Sequence, residues 1–178
     1  MFVCAGNGEV FPFATSIGVG LVQSTIGLTK LILKEKPKFI LFIGSAGTYG
    51  EYNIFDIVES RSASNIELSF LEDKSYTPID NLNKTNNTLI KNQTIVNSSN
   101  YITIDQDISK RFKDYGIGIE NMEFFAIIEV AKQFNIDVGG IFVVTNKTNK
   151  DAHKDFLNNH QEAMKRLVDY LKRNKFIS

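Results

Sequence analysis

Two stretches of this chain, Phe39–Ile43 and Gly140–Val144, contain no polar side chain. A strand exposed on one face alternates apolar with polar residues. An uninterrupted apolar run bounded by turn residues therefore reads as a strand covered on both faces, as in parallel sheets. Each run has helical patterns beside it. Ile17-Gly-Val-Gly leads into a helical stretch through Leu33, which Pro37 closes because proline pushes its predecessor out of the α region. Ile119 to Phe134 has helical spacing at Ala126, Ile127, Val130, Ala131 and Phe134, and Asp155 to Lys172 is amphipathic, with Phe156, Ala163, Leu167 and Leu171 on one side. Phe2–Ala5 reads as a strand entering the Gly6-Asn7-Gly8 turn, and Ile54–Glu59 as a further strand. Strands alternating with helices predict a layered α/β fold with a central, mostly parallel or mixed sheet.

Residues 61–100 differ in character. Asn, Thr, Ser and Lys dominate residues 81–100, which suits either an excursion with one or two edge strands or a mobile insert. The sequence shows no repeat and no second core, so one domain is expected over residues 1–178. Its 178 residues suffice for a real core, and 20 basic against 20 acidic residues supply no field to attract a nucleic-acid backbone. No apolar run reaches the length needed to span a bilayer, and Met1-Phe-Val-Cys lacks the charged region of a signal peptide. A cytoplasmic protein without membrane or nucleic-acid partners is expected. Cys4 stands alone and the histidines are only His153 and His160, which argues against a disulfide framework and against a metal site.

Binding loops of such sheets gather at the carboxyl ends of the strands. Three segments there attract attention: Gly6-Asn7-Gly8-Glu9, Gly44-Ser45-Ala46-Gly47 and Thr145-Asn146-Lys147-Thr148. Glycines admit a ligand close to the backbone, and successive N–H groups can form an anion nest, but the spacing fits neither a Walker loop nor a dinucleotide fingerprint. Each cluster is also an ordinary turn. Asn146 ends an apolar strand and offers one acceptor and one donor to a heterocycle; as a helix N-cap it would need no ligand. Glu123 opens a helical run, where a carboxylate either steadies the helix dipole or grips two vicinal hydroxyls. His160, within the last helix, is a surface histidine or a ligand contact.

The segments together resemble the nucleoside phosphorylase and nucleosidase superfamily. Ile17 to Gly47 is similar to the family's glycine-rich helix followed by a "GSAG" strand end. Glu120-Asn121-Met122-Glu123 resembles its "EME" element. Val144-Thr-Asn-Lys147 with Asn159-His160 resembles the "ITN" and "NH" elements of the trimeric purine nucleoside phosphorylases, at the same separation. The resemblance implies a three-layer α/β/α fold around a mixed sheet. It implies cleavage of the N-ribosidic bond of a purine nucleoside, with inorganic phosphate as co-substrate and no other cofactor, as in purine salvage. Asn146 would contact the base, supported by Thr145. Glu123, Met122 and Asn121 would hold the ribose, and His160 its 5′-hydroxyl. Tyr101 would stack on the base. Ser45, the backbone of Gly44, Ala46 and Gly47, and Gly6 with Gly8 would meet phosphate or a nucleophilic water.

Three departures temper that reading. The chain is shorter than typical members. The arginine that phosphorylases place before the "GS" turn is absent, with Phe42 and Ile43 there instead. An arginine fork is the natural partner of phosphate. Asn146 stands where nucleosidases have an aspartate, and it cannot act as a general acid. A nucleosidase using water, or a non-catalytic nucleoside-binding protein, therefore competes with phosphorolysis. Glu123, Asn146 and Gly44–Gly47 are expected to converge on one cleft. Abundant aromatics and zero net charge favour a homo-oligomer with that cleft beside an interface.

Overall fold

In the computed structural model, which describes residues 1–86 and 88–178, the two apolar runs lie side by side at the centre of a mixed sheet. Strand β3 (Phe39–Thr48) pairs in parallel with β9 (Asp137–Lys147) from Phe39↔Asp137 onward. Alternate residues of each feed opposite faces. Ile40 and Phe42 of β3 join Val138 and Phe142 of β9 in one buried cluster, with Leu28 and Ile32 of helix α1 (Gly20–Glu35) and Ile127 and Ala131 of α4 (Phe124–Gln133). Leu41 and Ile43 with Ile141 and Val143 form a second cluster against Ala163, Leu167 and Leu171 of α5 (Ala152–Arg173). The result is the expected three layers.

Parallel β1 (Phe2–Cys4) flanks β3 on one side and carries β2 (Ala14–Ser16) outside it. Past the end of β1, on the same edge of β3, β8 (Ile117–Glu120) runs antiparallel to the far end of β3; β9 holds the other edge, and β4 (Ile57–Ser60) pairs antiparallel with β9. Ile119 and Glu120 are thus strand, where the pattern predicted helix from Ile119 onward; the helical part begins at Phe124.

The Asn-rich stretch is built into the sheet. It supplies β5 (Ser62–Ser64), the short helix α2 (Leu68–Leu71), β6 (Leu82–Lys84) and β7 (Ile95–Asn97). Strands β7 and β5 extend the sheet beyond β8, and β6 lies outside them at the edge. Ala63, Ile90 and Val96 are fully buried. Sparse apolar residues suffice because α3 (Gln106–Asp114) and α4 cover this part, so its polar composition mirrors its other face and its loops. Residue 87, within the stretch, lies outside the described residues.

Gly27 sets how closely α1 lies on the loop before it. A β-carbon there would fall 1.9 Å from the Ile17 carbonyl oxygen, a backbone atom that cannot swing aside. In an open helix Gly→Ala gains about 1 kcal/mol. Here the overlap outweighs that gain, and Gly27→Ala is expected to cost at least about 1–3 kcal/mol in urea unfolding. A stabilised variant would show that the helix stands further off.

Candidate active site

The carboxyl ends of β1, β3 and β9 and the start of α4 enclose a cavity of about 280 Å³. Of the residues singled out in the sequence, Gly6, Ser45, Ala46, Gly47, Tyr101, Asn121, Met122, Glu123 and Asn146 line it. Glu123, Asn146 and the Gly44–Gly47 segment thus converge from distant parts of the chain. Gly8, Gly44, Thr145 and His160 stand behind the wall, while Glu9, Glu120, His153 and Phe156 lie in it.

Gly44–Gly47 is not a turn. It continues β3 in extended conformation, so no anion nest forms there. Its donors are already engaged: Glu9 Oε1 accepts from the Ser45 N–H at 3.0 Å and from the Ser45 hydroxyl. Glu9 is brought in by the tight turn that starts at Gly6, where Gly6, Asn7 and Gly8 all have positive φ. The carboxylate is 7% exposed, and its Oε2 is buried with no hydrogen-bond partner among the described residues. Gly44 makes room for it, since a β-carbon there would sit 2.7 Å from that oxygen. Burial pushes the Glu9 carboxyl above its ordinary value, against the Ser45 hydrogen bonds and the nearby His160. Its sequence signal is a lone acid between Gly8 and the apolar Val10-Phe11, masked by the glycines beside it.

Glu123 does not cap its own helix. Its Oε1 accepts from the N–H of Gly20 at 2.8 Å, the first residue of α1, so the positive end of α1 faces it. Asn121 does the capping for α4: its Oδ1 accepts from the N–H groups of Glu123 and Phe124, and its Nδ2 donates to the Ser45 carbonyl. Glu123 is 3% exposed. Burial raises its carboxyl to about 7, with the Glu9 charge adding to the rise and the Gly20 N–H opposing it.

Asn146 lies inside β9, so it is no helix N-cap. A bulge between Ala46 and Gly47 leaves Thr145 unmatched and sets Asn146 opposite Gly47. The Thr145 hydroxyl contacts Asn146 Oδ1 at 2.9 Å, and Asn146 Nδ2 donates to the Lys147 carbonyl at 3.3 Å. With Oδ1 held by Thr145, the second hydrogen of Nδ2 is left for a ligand acceptor. Asn159 Nδ2 in turn donates to the Thr145 carbonyl. His160, one residue on, packs its ring on Phe156 at 5.0 Å, and its Nε2 is buried without a partner among the described residues. Phe156, not His160, reaches the cavity.

Among the described residues no lysine or arginine lines the cavity, while three carboxylates do. Residues 93–173 match the model of the Phosphorylase superfamily. A search of curated sequences gave no match. Among solved structures, a mutant of the Helicobacter pylori nucleosidase MTAN, with 5′-methylthioadenosine in its active site, superposes at TM-score 0.82 with 14% identity. That match covers 97% of this chain and 96% of the other. Native futalosine hydrolase of the same organism gives 0.82 and 14%, covering 97% and 95%. The Streptococcus pneumoniae methylthioadenosine/adenosylhomocysteine nucleosidase, in complex with 8-aminoadenine, gives 0.79 and 16%, covering 96% and 95%. Residues 93–173 are thus similar to the phosphorylase superfamily, and the sheet and flanking helices of the whole chain have the fold of these nucleosidases.

The buried acids make stability fall with pH. In Glu123 the folded state holds its proton more tightly than the unfolded chain. The stabilisation is therefore complete below the ordinary carboxylate value and lost as pH rises through about 7. Glu9 and Glu120, also raised by burial, act in the same direction. Urea unfolding is expected to show a lower stability at pH 8 than at pH 5, with Glu123 contributing up to about 3 kcal/mol. Glu123→Gln should flatten that slope; a stability that rises over this range in the parent protein would refute the reading.

Proposed function

We propose that this protein is a nucleosidase, which cleaves the N-ribosidic bond of a purine nucleoside with water. One observation carries the choice of water over phosphate. The Ser45 N–H and hydroxyl, the donors that would receive phosphate, are held by the Glu9 carboxylate, and among the described residues no cation lines the cavity to offset a second anion. The phosphorolysis that the "TNK…NH" spacing favoured has no such support. The likeness to hydrolases points the same way.

The roles follow from position. Glu123 accepts hydrogen bonds from the ribose hydroxyls with the oxygen not committed to Gly20, while Met122 packs on the sugar. Glu9 takes a proton from water as the water oxygen attacks the anomeric carbon; its affinity for protons, raised by burial, suits it to general-base work. The C–N bonding pair leaves with the base. Asn146 donates from Nδ2 to N7, stabilising the negative charge that develops there, and the departing base takes its proton from solvent. Tyr101 and Phe156 flank the bound nucleoside.

Release of base from adenosine, inosine or 5′-methylthioadenosine should proceed without phosphate and yield the free sugar. Glu9→Gln should lower kcat by about 10²-fold or more with a smaller change in KM. Strict dependence on phosphate would restore the phosphorylase reading, and tight binding without cleavage would favour the nucleoside-binding one.

A homo-oligomer is proposed with it. Val22 and Ile26 of α1 are exposed, and Leu21 at the start of that helix donates its N–H to Asn100, beside the exposed Tyr101 and Ile102 at the cavity mouth. An apolar rim of this kind suits a second copy of the chain. Light scattering at micromolar concentration should give a multiple of 20.1 kDa; a monomer with full activity would exclude it.

A further inference from the structure

The proposed mechanism leaves one buried carboxylate of the cavity wall unused. Glu120 ends β8, Asn146 lies near the end of β9, and Gly47 of β3 is the register partner of both. A β-carbon on Gly47 would sit 3.0 Å from Asn146 Nδ2 and 3.2 Å from Glu120 Cγ. Those two atoms therefore lie within about 6 Å of each other, across a slot left open by the missing side chain. The Glu120 carboxylate is fixed in place. Its Oε2 accepts from the Tyr49 hydroxyl at 2.9 Å and the Thr103 hydroxyl at 2.7 Å, and its Oε1 from the Thr103 N–H at 3.1 Å. Among the described residues it has no ion-pair partner, although it lines both this cavity and the one beside it. Oε1 accepts one short hydrogen bond and retains capacity for another.

We infer that Glu120 reads the substituent at position 6 of the purine and selects 6-amino over 6-oxo bases. The inference rests on the proposed role of Asn146 at N7. The 6-substituent adjoins N7 on the same edge of the base, so a purine seated on Asn146 turns that substituent into the Gly47 slot, toward Glu120. An ionised carboxylate is an acceptor only. A 6-amino group donates to it; a 6-oxo group presents a second acceptor and is repelled. Sites built around one polar contact discriminate strongly against the analogue that cannot make it, because the buried group is left unpaired.

Calorimetric binding of free adenine and hypoxanthine tests the assignment without requiring turnover, alongside kcat/KM for adenosine and inosine. The parent protein should favour adenine by at least about ten-fold. Glu120→Gln keeps the size and can donate or accept, so it should bring the ratio near one by gaining hypoxanthine. Glu120→Ala should instead weaken adenine. Selective adenine binding that Glu120→Gln abolishes, in a protein that cleaves no nucleoside, would uphold Glu120 while refuting the hydrolase reading. An unchanged ratio in a folded Glu120→Gln variant, or failure of both bases to bind, would overturn the inference.

Discussion

The parallel pairing of β3 with β9 is the interaction on which the rest of the molecule depends. It buries two fully apolar strands, splits their side chains between two helical layers, and ends in the bulge that builds the site. A regular ladder would set Thr145 opposite Gly47, with Asn146 one place further on. The extra residue brings Asn146 to Gly47 instead, so its amide lies over the slot. Bulges re-aim side chains because side-chain direction alternates along a strand, and one inserted residue reverses the facing of every later position. Thr145, the residue left over, then serves the amide it displaced by contacting Oδ1.

The electrostatics of the cavity follow from what is missing. Three carboxylates face it or its wall, and among the described residues none is paired with lysine or arginine. Their compensation comes from neutral donors instead: Ser45 for Glu9, the amino end of α1 for Glu123, Tyr49 and Thr103 for Glu120. Neutral donors offset only part of the desolvation, so all three carboxyls are pushed upward and hold protons more tightly. Such a site disfavours an added anion, in line with the proposed use of water.

Much of the fold was legible because it rests on hydrophobic periodicity. The runs Phe39–Ile43 and Gly140–Val144 could be read as doubly covered strands, and α1 and α5 by spacing and by Pro37. The strands of residues 61–100 were not legible, since Ser62-Ala63-Ser64 carries no β-branched or aromatic residue and is held by its neighbours in the sheet. Nor was β8: Ile117-Gly-Ile-Glu120 runs straight into the helical pattern of α4. Of the site, the sequence pointed to Asn146, Glu123 and Ser45, whose residue types are unusual where they stand. It could not show the bulge, nor that Glu9 returns onto Ser45, because both depend on contacts between distant segments. His160 illustrates the converse: its spacing from Asn146 matched a known pattern, while a helical turn separates it from Phe156, the residue that reaches the cavity.

The glycines of β3 carry a related lesson about cause. Read as a cluster, Gly44-Ser-Ala-Gly47 suggested a turn whose N–H groups bind an anion. In the structure both glycines are extended strand, and neither needs a positive φ. Their contribution is the side chain they omit. An alanine at 44 would overlap the unpartnered Glu9 oxygen, and one at 47 would crowd Asn146 and Glu120 together. The two vacancies lie three residues apart on one strand, on opposite faces of an ideal pleat. The extra residue of the bulge lies in β9, so it brings Asn146 rather than Thr145 to the vacancy at Gly47, while the vacancy at Gly44 admits Glu9. The same pairing that supplies the core therefore also sets where a nucleoside can approach the backbone.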